Sequence, residues 1–308
     1  MKPRIVVVGS SNTDLVVKSP ALPGPGETVI GGDLITAAGG KGANQAVAAA
    51  RCGGEVWFIA KIGNDHFGKQ ALAGFKREKI KTDFIYVDKS APSGVALIMV
   101  DDQGQNAISV APGANGRLTN ADVKKAKNVI KSSQVLLVQL EIPIETAIES
   151  INLASYYNVK IILNPAPARP LPKELFSKLS IITPNETEAK ILTGIKIVDD
   201  KSVCEAAQVL RQKGVQTVII TLGEKGAFFY DGKNSMFIAP PRVKAVDTTA
   251  AGDVFNGALA VAVAEGKPII EAIRFANAAA ALSVTKIGAQ LSAPKRDEIL
   301  KLMKATFK

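Results

Sequence analysis

The sequence predicts an α/β protein: a mostly parallel central sheet with helices on both faces, plus a small second β-sheet. Two observations carry that expectation. Short, apolar, β-branched runs alternate with segments of helical periodicity, and two β-rich stretches in the first third break the alternation. The strand runs are residues 5–8, 56–59, 135–138, 161–163, 181–183 and 218–222, each short and apolar throughout, as strands buried on both faces require. Helical patterns cover 43–51, 68–78, 120–131, 144–157, 186–192 and 202–213, and three more close the chain at 252–265, 269–284 and 295–304. The interrupting stretches are 14–18 with 28–36, separated by Pro23-Gly24-Pro25-Gly26, and 94–100 with 106–111, which flank a turn at Asp101-Asp102-Gln103-Gly104. They read as strands of a lid, spanning about 13–36 and 94–111, threaded into one α/β domain over residues 1–308.

Composition narrows the function classes. The chain has 308 residues, 47% of them hydrophobic and 21% charged, which fits a globular protein with a full core rather than a disordered one. Two cysteines, Cys52 and Cys204, exclude a disulfide scaffold, point to a reducing compartment, and read as buried thiols. The apolar run before Gly9 is too short for a signal-peptide core, and no uncharged apolar stretch is long enough to span a membrane, so a cytoplasmic protein without a membrane partner is expected. Lys and Arg number 38 against 28 Asp and Glu, a formal charge of +10. The richest basic stretches, around Lys76–Lys81 and Lys124–Lys131, have helical spacing without interleaved aromatics, so no nucleic-acid partner is expected. His66 is the only histidine, which leaves no histidine metal cluster, and Trp57 reads as core.

The strongest chemical signal is Asp247-Thr248-Thr249-Ala250-Ala251-Gly252-Asp253, small residues leading into a helix. Small side chains admit a phosphate to the backbone, and the N–H groups at a helix start stabilise its charge. Asp253, just inside that helix, suits a base for an attacking hydroxyl, or plain capping of the helix; Asp247 suits a cation or an ordinary turn. A second signal is Gly39-Gly40-Lys41-Gly42-Ala43-Asn44, whose glycines allow close approach and whose Lys41 and Asn44 offer donors; it lacks the spacing of a Walker A loop. Asn12 and Asp14 alternate after the first strand and suit sugar hydroxyls, as does Glu141, which is expected to end the strand containing Gln139. Asn185 and Glu188 have the spacing of a capping box and also suit magnesium water or phosphate. Thr221 to Gly226 ends a strand with glycines, as a nucleotide loop does.

Taken together, these residues resemble the ribokinase-like (PfkB) carbohydrate kinase superfamily. The likeness runs over essentially the whole chain and rests on Asn12-x-Asp14, Gly39–Asn44, Leu140-Glu141, Asn164–Arg169, Thr183–Glu188, Asp247–Ala258 and Val284 through Ser292. It implies the fold described, with a β lid that also forms a homodimer, and transfer of the γ-phosphate of ATP to the 5-hydroxyl of D-ribose. In that reading Asp253 is the general base, and Ala250, Ala251 and Gly252 form the anion hole. Asn12, Asp14, Gly40, Lys41, Gly42, Asn44 and Glu141 hold the sugar. Asn185, Thr221, Gly223, Gly226, Gly252 and Asn277 line the ATP site. Magnesium acts through the phosphates near Asn185 and Glu188. Potassium lies by Asp247, Thr249, Ser283, Lys286, Gly288 and Ser292, largely through carbonyls. Other members of the superfamily, acting on deoxyribose, fructose or adenosine, share the phosphate machinery, and a silent sugar- or nucleotide-binding regulator is the more distant alternative.

Overall fold

The computed structural model of the chain describes residues 2–306. The chain opens with β1 (Arg4–Val8), β2 (Asn12–Lys18), β3 (Leu34–Gly39), α1 (Lys41–Arg51), β4 (Glu55–Gly63), α2 (His66–Arg77), β5 (Ile85–Asp88), β6 (Gly94–Val100) and β7 (Asn106–Ala111). After a 3-10 turn at Gly113–Arg117 follow α3 (Asn120–Lys125), α4 (Lys127–Lys131), β8 (Val135–Val138), α5 (Ile144–Tyr156), β9 (Lys160–Leu163), α6 (Lys173–Phe176), β10 (Ile181–Ile182), α7 (Glu186–Thr193) and α8 (Asp200–Gln212). The last part holds β11 (Thr217–Thr221), β12 (Ala227–Tyr230), β13 (Ser235–Ile238), α9 (Ala251–Ala264), α10 (Ile269–Ser283), α11 (Ala289–Ser292) and α12 (Arg296–Thr306).

The main sheet runs β13-β12-β11-β10-β9-β8-β1-β4-β5. Its pairs are parallel from β5 to β11, and only the β11–β12–β13 end is antiparallel. Each face carries its own core. Ile5 and Val7 face one, packed by α1, α9 and α10; Val6 and Val8 face the other, packed by α5 and α8. β1 lies between β8 and β4, so the strand order reverses there, and a crevice opens beyond the carboxyl ends of the strands. The second sheet runs β3-β2-β6-β7. β2 leaves the core three residues after β1, and β3 returns directly into α1, so the lid strands and the helix behind them share one short connection.

Several expectations move. The strand expected at 28–36 begins at Leu34 and runs to Gly39, because pairing with Asn12–Val17 holds it there, while Gly32 donates its N–H to the Lys18 carbonyl in an irregular approach. The helix expected over 120–131 is two, since the ladder tightens to i−3 bonds at Ala126 and Val129. Glu141 does not end a strand: β8 stops at Val138, and Gln139 to Glu141 lie beyond it. Trp57 is half-buried, with the Arg4 guanidinium 5.8 Å from its ring, and Cys204 is half-buried where Cys52 is fully enclosed. β5, β12, β13, α6 and α11 are additions.

Candidate active site

The site centres on the carboxylate of Asp253, 6% exposed, in the first turn of α9. Consecutive residues of α1 straddle it. Asn44 Nδ2 donates to Oδ2 and Gln45 Nε2 donates to Oδ1, each at 2.9 Å. Burial raises the carboxyl above its ordinary range, against Lys41 and both amide bonds. The Lys41 ammonium is itself held above its usual value, first by Asp253 and then, against burial, by Glu141 and Glu188. The helix is preceded by Ala250, a non-glycine residue in the left-handed conformation at φ 60°, which costs about 1 kcal/mol or more, and the Ala251 N–H donates back to the Thr248 carbonyl at 3.2 Å. A Cβ on Gly252 would meet nothing within 4 Å, so open space lies directly against that backbone.

The sugar-side residues gather opposite. Asn12 and Asp14 alternate on β2, and the Asp14 carboxylate lies so close over Gly39 that any Cβ there would overlap it. Burial, then Glu141 and Asp253, lift Asp14 from 3.8 to about 6. Glu141 Oε2 accepts from Ser10 Oγ at 2.5 Å and from the Lys41 N–H at 3.1 Å, which joins the segments after β1 and β8 to the start of α1. Gly40 adopts φ 88° and packs on the Ser10–Asn12 backbone; Gly42 stands against Gly9 and Ser10 and faces no open space. Asn44 keeps a buried Oδ1 with no partner, an acceptor left over for a hydroxyl.

Beyond Gly252 lies a cleft of about 610 Å³ walled by Gly223, Pro240, Val243, Thr248, Ala251 and Asn277, among others. Its size fits a nucleotide. Gly223 and Gly226 turn its edge at φ 56° and 87°. Asn185 and Thr221, which do not line the cleft, are joined to each other by a backbone bridge. Asn277 donates to the Ile238 carbonyl at 2.7 Å, which ties α10 to the end of β13. Asn185 and Glu188 form the reciprocal capping box, so Glu188 Oε2 is occupied by the Asn185 N–H. Burial raises Glu188, against that bond and Lys41.

Among the described residues no group of three His, Cys, Asp or Glu could hold a metal. Magnesium carried by phosphates fits this set, since it keeps waters and needs only one or two carboxylates. For a monovalent ion, Asp247 matters. Its oxygens accept the N–H of Thr249 at 2.9 Å and of Gly288 at 2.8 Å, which outweighs the effect of burial and leaves the carboxyl below its ordinary value. The side chains of Ser283, Ser292 and Lys286 turn elsewhere, to the carbonyls of Ala280 and Ala289 and to Glu298. Only backbone carbonyls of that loop remain, a donor set suited to a large monovalent cation.

The profile of the pfkB family carbohydrate kinases matches residues 2–296. The chain belongs to that family. A ribokinase of Haemophilus influenzae is 46% identical over 303 residues, covering 98% of this chain and 99% of the relative. A crystal structure of a ribokinase from Thermotoga maritima superimposes with a TM-score of 0.89 at 40% identity, covering 99% of this chain and all of the other. The Arabidopsis thaliana ribokinase, complexed with ribose and ATP, gives 0.90 at 35% identity over 99% of each chain. Like other pfkB members, the protein is a phosphotransferase acting on a sugar hydroxyl, with ATP as donor.

Sequence reasoning passed over the residues that hold the site in place. Gln45 grips Asp253 from behind and is itself held by Gln139, Asn115 grips Asn12, and Ser10 grips Glu141. Asn256 joins Thr183 to the Gly252 carbonyl. The only sequence signal for these is a polar residue where the pattern calls for an apolar one.

Proposed function

We propose that the protein phosphorylates the 5-hydroxyl of D-ribose, giving D-ribose 5-phosphate and ADP. The observation that carries the reading is the Asp253 carboxylate, held by Asn44 and Gln45 between the acceptors of the lid and the open backbone of Gly252. Asn12, Asp14, Lys41, Asn44 and Glu141 hold the sugar, and Asp253 takes the hydroxyl proton as the oxygen attacks in line. Of the expected anion hole, the N–H groups of Ala250 and Gly252 stabilise the charge of the transferred phosphoryl, while the Ala251 N–H donates to the Thr248 carbonyl at 3.2 Å. Three carboxylates, Glu141, Glu188 and Asp253, face Lys41, and Asp14 stands beside two of them, so the triphosphate is best received with its charge already neutralised. Asn185 and Glu188 would stand near a phosphate-bound magnesium ion, which would supply that neutralisation, and the residues around Asp247 and Gly288 would hold a potassium ion, which would add positive charge beside the anion hole. Closure of the lid keeps water from competing as the nucleophile.

Leu34, Leu97, Met99, Ile108 and Val110 are exposed on the lid strands, which supports a homodimer formed through this sheet. Two unpaired cysteines support a reducing, cytoplasmic setting. The test is a panel of initial rates with ribose, deoxyribose, fructose and adenosine, each in potassium and in sodium salts. Ribose is expected to lead, with higher rates in potassium. A preference for another acceptor overturns the substrate, and equal rates in the two salts overturn the cation.

A further inference from the structure

Behind Asp253 lies a chain of uncharged amides. Gln45 Nε2 spends both hydrogens, one on Asp253 Oδ1 at 2.9 Å and one on Asn164 Oδ1 at 3.0 Å. Its Oε1 accepts from Gln139 Nε2 at 2.5 Å. Asn164 is anchored in turn, donating to the Thr183 carbonyl at 3.1 Å. Gln45 and Gln139 are completely enclosed, and Gln139 Oε1 has no partner. That oxygen sits where a Cβ on Gly9 would be, so the glycine that ends β1 also makes room for the amide.

The directions of these bonds are fixed by the carboxylate. Asp253, ionised, only accepts, so the Gln45 amino group must face it; the Gln45 oxygen must then face a donor, which is Gln139. A Gln45 that flipped would set oxygen against carboxylate in a buried space. We propose that Gln45, locked by Gln139 and Asn164, is a positioning residue that fixes the plane of the Asp253 carboxylate and leaves its remaining lone pairs to the substrate hydroxyl. Burying two glutamines and leaving one carbonyl oxygen unpaired is costly, and an apolar pair would fill the space without that cost. The return is a base held rigidly by groups that cannot themselves take its proton.

The same bond acts on ionisation. Asp253 faces Lys41 on α1, Glu141 beyond β8, Asp14 on β2 and Glu188 on α7. Three of those four are acids, and burial also favours the protonated form. A donor to the ionised carboxylate opposes both, and removing it raises the pH at which Asp253 gains a proton.

The inference rests on Asp253 being the base, and the experiment separates the two. The dependence of kcat on pH is measured at saturating ribose and MgATP for the native protein, Asp253→Asn, Gln45→Met and Gln139→Met. Asp253→Asn is expected to lose ~10²-fold or more in turnover; if it does not, the base reading itself fails. Gln45→Met is expected to lose ~10-fold or more in kcat, to move the acid limb of the profile to higher pH, and to change ribose KM by less than ~3-fold. Gln139→Met, one bond further out, is expected to shift the limb the same way by less, and it decides the matter if Gln45→Met does not fold. A uniform loss of kcat with the limb unmoved would mean a packing role and overturn the inference. So would unchanged kcat in both variants while Asp253→Asn is inactive.

Discussion

Asn115 holds Asn12. Its Nδ2 donates to Asn12 Oδ1 at 2.7 Å and to the Ser11 carbonyl at 3.1 Å, while its own Oδ1 accepts the Ser11 N–H at 2.8 Å. The 3-10 turn after β7 thereby sets the side chain that opens β2, more than a hundred residues earlier in the chain. Asn12 Oδ1 is engaged, so its Nδ2 is the group left for a sugar hydroxyl. Asn115→Ala releases that orientation and strands the Ser11 N–H. We expect ribose KM to rise ~10-fold with little change in kcat, and stability to fall by ~1–3 kcal/mol, read by calorimetric titration and thermal unfolding. An unchanged ribose affinity would show that Asn12 needs no such support.

Asp14 places binding and stability in opposition. Its carboxyl lies at about 6 in the folded protein against an ordinary 3.8, through burial and then the charges of Glu141 and Asp253. The native state therefore binds this proton more tightly than the unfolded chain does. The Asp14 contribution to stability is greatest below about 3.8, declines as pH rises toward about 6, and stays lower above it. Asp14→Asn removes the burden, and at neutral pH it is expected to gain up to about 3 kcal/mol while losing ribose affinity. In the native protein, ribose KM is expected to climb as pH falls below about 6, since a protonated Asp14 is a poorer acceptor. A variant that is less stable at neutral pH would contradict the electrostatic account.

The fold was legible where local chemistry acts alone. Val135–Val138, Gly94–Val100 and Asn106–Ala111 announce themselves by β-branched runs and a turn, and the Asn185–Glu188 spacing announces its capping box. The antiparallel end of the sheet was not read from the sequence, although a turn signal for it is present in the chain. Ala227–Tyr230 and Ser235–Ile238 flank Asp231-Gly232, and Asp231 Oδ1 accepts the N–H groups of Lys233 and Asn234, a hairpin turn. The start of β3 was not legible, because its register is set by β2 across the gap left by Gly31 and Gly32. For the site, the residues that meet ligands belong to recognisable loops. Those that meet other residues, such as Gln45 with Gln139 or Asn115 with Asn12, are joined only by folding, across 94 and 103 positions of sequence.

Two glycines in the same site answer different demands, and alanine separates them. At Gly42 a Cβ would come within 2.6 Å of Gly9 C and Ser10 N, backbone atoms of the β1–β2 connection that cannot move without dragging the strands. At Gly252 a Cβ meets nothing within 4 Å, and alanine is the better helix former. Gly42→Ala is therefore expected to destabilise by ~1–3 kcal/mol through overpacking. Gly252→Ala is expected to unfold at the same temperature as the native protein or higher. Its methyl nevertheless enters the space where the phosphoryl must reach the α9 backbone, and displacing the reacting group by an ångström costs ~10²-fold in turnover. Thermal unfolding beside single-turnover phosphorylation reads both effects. Full turnover in Gly252→Ala would move the anion hole away from this helix end, because no other feature of the fold asks for glycine there.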